Sequence, residues 1–198
     1  MGKKARERAA RKAAAKPVGR RLEALKARLL VLWGYPGAGK SWYARWLHRE
    51  NRYTHVDTDA LRGTELDAGW YMTFTREMTP EAYMALVARH GRPVVVEFGL
   101  WANPDNIALL RRMRDAGAEP WFFYGDRAAA KAAWREENRT RPRDFEDGKW
   151  DEVVGLMDAN WRLIVEAIGQ ERMLRTIEAG PERLAPEVIY RGMTAQVE

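Results

Sequence analysis

The sequence predicts an α/β fold, a three-layer αβα sandwich built on a five-stranded parallel sheet. Three observations lead to this prediction. Five short β-favouring runs alternate with helical patterns, the order expected when helices cover both faces of a parallel sheet. One of these runs, "PVVVEF", is apolar up to Glu97, as in a strand buried on both faces. A glycine-rich turn joins the first run directly to a helical pattern.

The predicted strands and helices follow one another in a regular order. The strands are expected at residues 29–33, 54–58, 93–98, 121–124 and 173–177. The helices are expected at residues 40–50, 80–90, 104–116, 126–138 and 150–168. Asn103 and Pro104 form a typical helix opening, because a capping side chain precedes a proline at the first helical position. Gly117 is well placed to end that helix.

Length and composition limit the classes of protein to consider. The 198 residues are 46% hydrophobic, enough for one sizeable core, so we expect a single domain over residues 22–198. The chain has no cysteine, which excludes disulfides, thiolate metal sites and thiol catalysis. Its apolar runs are far shorter than the roughly 20 residues of a membrane helix, and no signal peptide is indicated. We therefore expect a cytoplasmic protein without a membrane span; the sequence predicts no oligomeric state.

The positive charge is concentrated at the start of the chain. The formal charge is +6, whereas residues 1–21 hold nine Lys or Arg and one Glu, a local charge of +8. The remainder is therefore near −2. We interpret residues 1–21 as a basic, mobile N-terminal arm. Two roles stay open for it: a solvated solubility tail, or a contact with nucleic acid, the ribosome or another anionic surface.

The segment "GYPGAGKS" matches the phosphate-binding pattern G-x-x-x-x-G-K-[ST], the P-loop or Walker A motif. Its residues are Gly34, Tyr35, Pro36, Gly37, Ala38, Gly39, Lys40 and Ser41. The glycines let backbone N–H groups turn inward and approach phosphate oxygens closely. Lys40 is expected to reach the outer phosphates of a nucleotide, and Ser41 is expected to hold Mg²⁺.

An aromatic stripe follows the P-loop at helical spacing. Its members are Trp42, Tyr43, Trp46 and Leu47. Such a stripe is more typical of a core than of a base-stacking surface. Trp42 comes directly after the loop, and it is included among the candidate nucleotide-binding residues.

Two aspartates lie at the end of the second predicted strand, in "THVDTDALR". Asp57 and Asp59 would project from the carboxyl end of the strand, where open parallel sheets bind ligands. Arg62 follows Asp59 by three residues, about one helical turn. A carboxylate here could accept the proton of a hydroxyl group while a nearby cation holds the acceptor. The alternative is a surface ion pair or a helix cap, and Asp57 is also a candidate for contact with Mg²⁺ or a metal-bound water.

Glu97 ends a central strand in "VVVEFGLW". A carboxylate at the tip of the strand beside the P-loop is suited to Mg²⁺, reached directly or through a water. A second acceptor-binding acid and a purely structural role stay open as alternatives. Trp101, just beyond, is a candidate wall of the acceptor pocket.

An arginine-rich stretch predicts a lid at about residues 136–149. Lys131, Arg135 and Arg139 are four residues apart, which places them on one face of a helix. Movable arginines that close over a nucleotide stabilise transferring phosphate and exclude water. Arg135 and Arg139 are the preferred candidates. The alternative is a solvated helix with ordinary surface ion pairs.

These segments resemble, in the same order, those of the bacterial P-loop kinases often labelled AAA-family ATPases. That group is close to polynucleotide 5′-hydroxyl kinases, zeta toxins and chloramphenicol phosphotransferase. The matching segments are "GYPGAGKS", "DTDALR", "VVVEFGLWANPDN" and the arginine-rich stretch. The resemblance implies the P-loop NTPase fold, the use of ATP and Mg²⁺, Asp59 as the general base and Arg62 as the acceptor clamp. Glu97 departs from the group, whose members often have aspartate there, and the lid arginines match in approximate spacing.

The sequence therefore predicts an ATP- and Mg²⁺-dependent kinase that transfers the γ-phosphoryl group to a hydroxyl group. The acceptor stays open between a small molecule, a nucleotide and a polynucleotide 5′-hydroxyl. Two other functions stay open: a nucleotide-binding ATPase or switch that acts through a partner protein, and a toxin-like kinase of an essential metabolite. The candidate catalytic residues are Lys40, Asp59, Arg62, Arg135 and Arg139, and the candidate metal-binding residues are Ser41, Asp57 and Glu97.

Overall fold

The computed structural model of the protein describes residues 29–57, 93–99, 101–139, 147–178 and 183–195. Its strands are β1 (Leu29–Gly34), β2 (Thr54–Asp57), β3 (Val94–Glu97), β4 (Glu119–Gly125) and β5 (Met173–Ile177). Its helices are α1 (Lys40–Asn51), α2 (Pro104–Asp115), α3 (Arg127–Asn138), α4 (Asp147–Ala159), α5 (Trp161–Ile168) and α6 (Pro186–Ala195). No helix in these ranges is both long and apolar enough to cross a membrane.

The five strands form one parallel sheet in the order β2-β3-β1-β4-β5. This arrangement confirms the predicted α/β fold. The central strand, β1, is buried at every residue, which is why its sequence is a continuous apolar run rather than an alternating one. In register, Leu32 of β1 lies beside Glu97 of β3 and Trp121 of β4. Glu97 therefore stands on the strand next to the P-loop strand, as the sequence predicts.

Helices cover both faces of the sheet. Phe122 and Phe123 are neighbours on β4, so their side chains point to opposite faces. The ring of Phe123 lies 5.7 Å from Tyr43 of α1, whereas the ring of Phe122 lies 5.7 Å from Trp161 of α5. Helix α6 contacts α1, and α2 contacts α5. The two pairs of helices are thus the outer layers of the sandwich.

One helical prediction needs correction, one helix was not predicted, and the helix expected at residues 80–90 lies outside the described residues. The single helix expected at residues 150–168 is instead two, α4 and α5, separated at Asn160. The Asn160 side-chain amide donates hydrogen bonds to the carbonyl oxygens of Leu156, at 3.0 Å, and Ala102, at 2.9 Å. Asparagine competes in this way with the backbone's own hydrogen bonds, so it ends α4 and anchors the junction. The last helix, α6, was not predicted, because its apolar stripe is short and Gly192 interrupts it.

Candidate active site

The P-loop motif forms the turn that joins β1 to α1. Gly34 ends the strand and Lys40 begins the helix. Gly37 and Gly39 have φ angles of 83° and 90°, which side-chain-bearing residues rarely adopt. The Ala38 N–H donates a hydrogen bond to the Tyr35 carbonyl oxygen at 3.1 Å and closes the turn. These two glycines of the motif therefore stand where the loop backbone needs a positive φ angle.

The loop is also packed too closely for side chains at two of its glycines. A Cβ atom on Gly34 would lie 2.0 Å from the Phe123 carbonyl oxygen, and one on Gly37 would lie 2.0 Å from the Ala130 carbonyl oxygen. The Tyr35 N–H donates to the same Phe123 oxygen at 2.9 Å. Strand β4 thus supports the base of the loop, and α3 lies against its outer turn.

The start of α1 gives the loop a positive potential. The Lys40 ammonium group donates to the carbonyl oxygens of Gly34, at 3.1 Å, and Tyr35, at 3.0 Å, so it lies along the loop. The first turn of α1 contains no acidic residue. The unpaired N–H groups of a helix N-terminus add a partial positive charge. A helix N-terminus of this kind, preceded by glycines and carrying a lysine, is suited to bind phosphate.

Ser41 and Glu97 meet beside this helix start. The Ser41 hydroxyl donates a hydrogen bond to Oε2 of Glu97 at 2.5 Å. Glu97 is only 6% exposed, so its carboxylate is held within the protein at the carboxyl edge of the sheet. Asp57 is paired with Glu97 in the β2–β3 register. The three predicted metal-binding residues therefore lie at one edge of the sheet.

His55 is a member of this group that the sequence reasoning missed. Its Nε2–H donates to Oε1 of Glu97 at 2.5 Å, so the two oxygens of one carboxylate have different partners. The available signal was the alternation of the strand: His55 and Asp57 are two residues apart on β2 and lie on the same face of the sheet. Nothing in the local pattern indicated that His55 contacts Glu97.

Helices α3 and α4 hold the outer side of the P-loop. The Tyr35 hydroxyl donates to Asp158 of α4, and Arg127 of α3 forms an ion pair with the same aspartate. The Trp150 indole N–H donates to the Pro36 carbonyl oxygen at 3.1 Å. Burial raises the pKa of Tyr35, although Arg127 opposes the shift, so the phenol stays protonated and can donate. The sequence analysis did not identify Trp150 or Asp158 as support for the loop.

The aromatic stripe of α1 is mostly core, as the sequence predicts. Tyr43, Trp46 and Leu47 are buried, and the rings of Tyr43 and Trp46 stack with centroids 5.8 Å apart. Trp42 is half-buried, and its ring lies 4.0 Å from the position of a Cβ on Gly39. Trp42 therefore borders the P-loop and stays a candidate for nucleotide contact.

Two residues from the C-terminal part of the chain reach the loop. The buried Thr176 hydroxyl donates to the Ala38 carbonyl oxygen at 2.7 Å. The Arg183 side chain passes 3.2 Å from the position of a Cβ on Gly39, and its guanidinium donates to Glu137 of α3 at 2.6 Å. Arg183 therefore lies between Gly39 of the P-loop and Glu137 of α3.

The structure does not test several candidate residues. Asp59 and Arg62 lie outside the described residues, as do residues 140–146 of the predicted lid. Arg135 belongs to α3. Arg139 follows α3 and lies 3.4 Å from Glu136, and both side chains are exposed. The lid and its arginines remain a prediction.

Comparison with known proteins identifies the family and the fold. The sequence model of a family described as AAA domain matches residues 29–159, whereas no curated protein matches the chain. A shikimate kinase from Bacteroides thetaiotaomicron is similar in structure, with 17% identity, a TM-score of 0.55, and coverage of 85% of this chain and 97% of that one.

Two further solved structures give the same result. A shikimate kinase from Acinetobacter baumannii in complex with shikimate has 14% identity and a TM-score of 0.52, covering 87% of this chain and 93% of that one. A sugar kinase from Janibacter sp. HTCC2649 has 13% identity and a TM-score of 0.54, covering 86% of this chain and 94% of that one. At these identities the likeness shows the fold, which is that of P-loop kinases.

Proposed function

Because the chain belongs to the AAA domain family and has the fold of P-loop kinases, we propose that it is an ATP- and Mg²⁺-dependent kinase. It transfers the γ-phosphoryl group of ATP to a hydroxyl group. The observation that carries the proposal is the 2.5 Å hydrogen bond between Ser41 and Glu97 next to Lys40. This contact brings a phosphate-binding turn and a buried carboxylate together, as a metal–nucleotide site requires.

The donor set fits Mg²⁺. Ser41, Glu97 and Asp57 supply oxygen ligands, which this hard cation prefers. Among the described residues there is no group of three or more His, Cys, Asp or Glu side chains that could hold a metal. A bound Mg²⁺ would therefore take its remaining ligands from water and from nucleotide phosphates. When bound, Mg²⁺ would offset the charge on the phosphates.

The remaining steps are assigned to the chain's own residues. The P-loop N–H groups and Lys40 hold the phosphates in line with the acceptor. Asp59 takes the proton of the acceptor hydroxyl as its oxygen bonds to the γ-phosphorus, and the bond between that phosphorus and the β,γ-bridging oxygen breaks to release ADP. Arg62 holds the acceptor, and Arg135 and Arg139 offset charge on the transferring group.

The acceptor is proposed to be a small hydroxyl compound or a nucleotide. The chain beyond the basic arm has a charge near −2, which does not favour a polyanion. Shikimate and sugars are named for the compared kinases, so polyhydroxyl metabolites are the first acceptors to test. A polynucleotide 5′-hydroxyl belongs in the same panel because of the arm.

The test separates nucleotide binding from transfer. In Asp59→Asn we expect ATP affinity to stay within about twofold and transfer to the best acceptor to fall by at least about 100-fold, the range of general-base catalysis. Asp105→Asn, an exposed aspartate in the first turn of α2, is the matched control and should keep both. Isotope transfer from labelled ATP and equilibrium binding of a fluorescent ATP analogue give the two readouts. Unchanged transfer in Asp59→Asn would contradict the mechanism, and ATP binding without transfer to any acceptor would favour a switch.

A further inference from the structure

Both oxygens of the Glu97 carboxylate are held by side chains from other elements. Oε2 accepts from Ser41 of α1, and Oε1 accepts from His55 of β2, each at 2.5 Å. A carboxylate without its own proton can only accept, so the imidazole must present an N–H to it. The orientation of this carboxylate is therefore determined by two neighbours rather than by its own strand alone.

The sheet register explains how His55 reaches Glu97. Asp57 is paired with Glu97, and His55 is paired with Val95. Paired residues on parallel strands point to the same face, and residues two apart on a strand share a face. His55, Asp57 and Glu97 thus share the face on which α1, with Ser41, packs. His55 lies two register pairs before the Asp57–Glu97 pair at the metal-binding edge, and it contacts the carboxylate from the side of the sheet interior.

Glutamate needs this support more than aspartate would. The glutamate side chain has one more rotatable bond, so more of its orientations compete with the one that suits a cation. Glu97 is 6% exposed, and the His55 side chain is 16% exposed, so the hydrogen bond is shielded from water. A hydrogen bond to a charged group is stronger than one between neutral groups, and shielding from water strengthens it further.

We propose that His55 is a positioning residue that sets the Glu97 carboxylate for Mg²⁺. This inference rests on the proposed function, because it assigns Glu97 to the metal. His55 is not itself a ligand, since its Nε2 is engaged with Glu97 and Mg²⁺ prefers oxygen donors. Residues that orient a metal ligand commonly affect metal affinity by about 10- to 100-fold.

The experiment measures how Mg²⁺ strengthens nucleotide binding, with no acceptor present. A fluorescent ATP analogue is bound to the full chain, and Mg²⁺ is titrated to obtain its apparent Kd. His55→Ala removes the N–H donor. His55→Gln restores an N–H group near the position of Nε2, and Glu97→Gln is the positive control for loss of the metal site.

His48→Gln is the matched structural control. His48 is another histidine with a hydrogen bond in the same layer, to the Tyr53 carbonyl oxygen at 2.7 Å, at the far end of α1. We expect His55→Ala to weaken Mg²⁺ about 10- to 100-fold while nucleotide affinity without metal stays unchanged. We expect His55→Gln to recover most of the loss and His48→Gln to leave Mg²⁺ affinity as it is.

Three results would overturn the inference. Equal Mg²⁺ affinity in His55→Ala and the unmodified chain, with Glu97→Gln impaired, would remove the role of His55 and leave the proposed function intact. An equal loss in His48→Gln would show a general effect of destabilisation. Nucleotide binding by the unmodified chain that does not respond to Mg²⁺ would overturn both the inference and the proposed metal site. If His55→Ala does not fold, His55→Leu takes its place, because leucine keeps much of the side-chain volume and has no N–H donor. It should weaken Mg²⁺ by the same factor, and Mg²⁺ affinity equal to that of the unmodified chain would overturn the inference.

Discussion

At Gly37, the backbone conformation and the packing both require glycine. Its φ is 83°, and a Cβ would lie 2.0 Å from the Ala130 carbonyl oxygen. We expect Gly37→Ala to lower the free energy of unfolding by about 1–3 kcal/mol and to weaken ATP binding, because the loop must shift away from α3. Chemical denaturation and equilibrium binding measure the two effects.

The control for this substitution is Gly155, in the interior of α4, where a Cβ would meet no atom within 4 Å. Alanine is favoured over glycine in a helix by roughly 1 kcal/mol. Gly155→Ala should therefore stabilise the protein slightly and keep ATP affinity. A Gly37→Ala protein as stable as the unmodified chain, with the same ATP affinity, would contradict the loop geometry described above.

Glu119, the first residue of β4, should make stability depend on pH. Burial raises the pKa of this carboxyl above its usual 4.5, although Arg172 partly offsets the shift. The folded protein therefore keeps the Glu119 proton to higher pH than the unfolded chain does. Its contribution to stability is present below about pH 4.5 and is lost as pH rises through the folded pKa.

Glu119→Gln mimics the protonated carboxyl at every pH. We expect it to match the unmodified chain near pH 4 and to become the more stable of the two as pH rises toward 7. Urea denaturation at several pH values measures the difference in unfolding free energy, and Glu152→Gln on the exposed side of α4 serves as the surface control. A difference that does not change with pH would contradict the prediction.

At the scale of elements, we expect α3 to influence the conformation of the P-loop, because it packs against Gly37. Its N-cap, Asp126, accepts a hydrogen bond from the Ala129 N–H at 2.8 Å. The N-cap of α2, Asn103, accepts from the Asn106 N–H at the same distance. Loss of either cap should cost about 1 kcal/mol of stability. Helix α3 packs on Gly37, whereas α2 packs on β4 and α5, so loss of the α3 cap should also weaken ATP binding.

We therefore predict that Asp126→Ala and Asn103→Ala have similar melting temperatures and different ATP affinities. Asp126→Asn separates the cap from the charge, because asparagine caps helices as well as aspartate does. It should keep the stability of the unmodified chain. Equal ATP affinity in both alanine variants would mean that the start of α3 does not influence the loop.

At the scale of the whole molecule, the charge distribution predicts how the protein associates with polyanions. Residues 1–21 carry +8, against about −2 for the rest. At low salt we expect the full chain to bind single-stranded RNA and a chain lacking residues 1–21 to bind it far more weakly. ATP binding should be equal in the two. The slope of log K against log salt should become shallower on truncation, by up to about 0.7 for each lost phosphate contact.

Fluorescence anisotropy of labelled RNA at several salt concentrations measures this effect. Arm variants with lysine and arginine replaced by glutamine keep the length of the segment and serve as controls for length. The same RNA affinity and the same salt slope with and without the arm would favour the solubility-tail alternative.

What the sequence by itself determined is the alternation of strands and helices and the position of the glycine-rich turn between β1 and α1. Strands, helices and the turn at residues 34–41 are specified by residues close to one another in the sequence, so local patterns are enough to predict them. The pairing of Ser41 with Glu97 was also within reach, because neighbouring parallel strands end at the same edge of a sheet. Asp59, Arg62 and the lid arginines remain predictions from the sequence.

What only the tertiary structure decided is which distant groups meet. Three hydrogen bonds join residues that are far apart in the sequence. They link His55 to Glu97 over 42 positions, Trp150 to Pro36 over 114, and Thr176 to Ala38 over 138. Asn160 divides a helix that the periodic pattern shows as continuous, and its amide bonds to Ala102 58 positions away. The physical reason is that buried polar groups must find hydrogen-bond partners, and the packing of helices on the sheet determines which partners lie within reach.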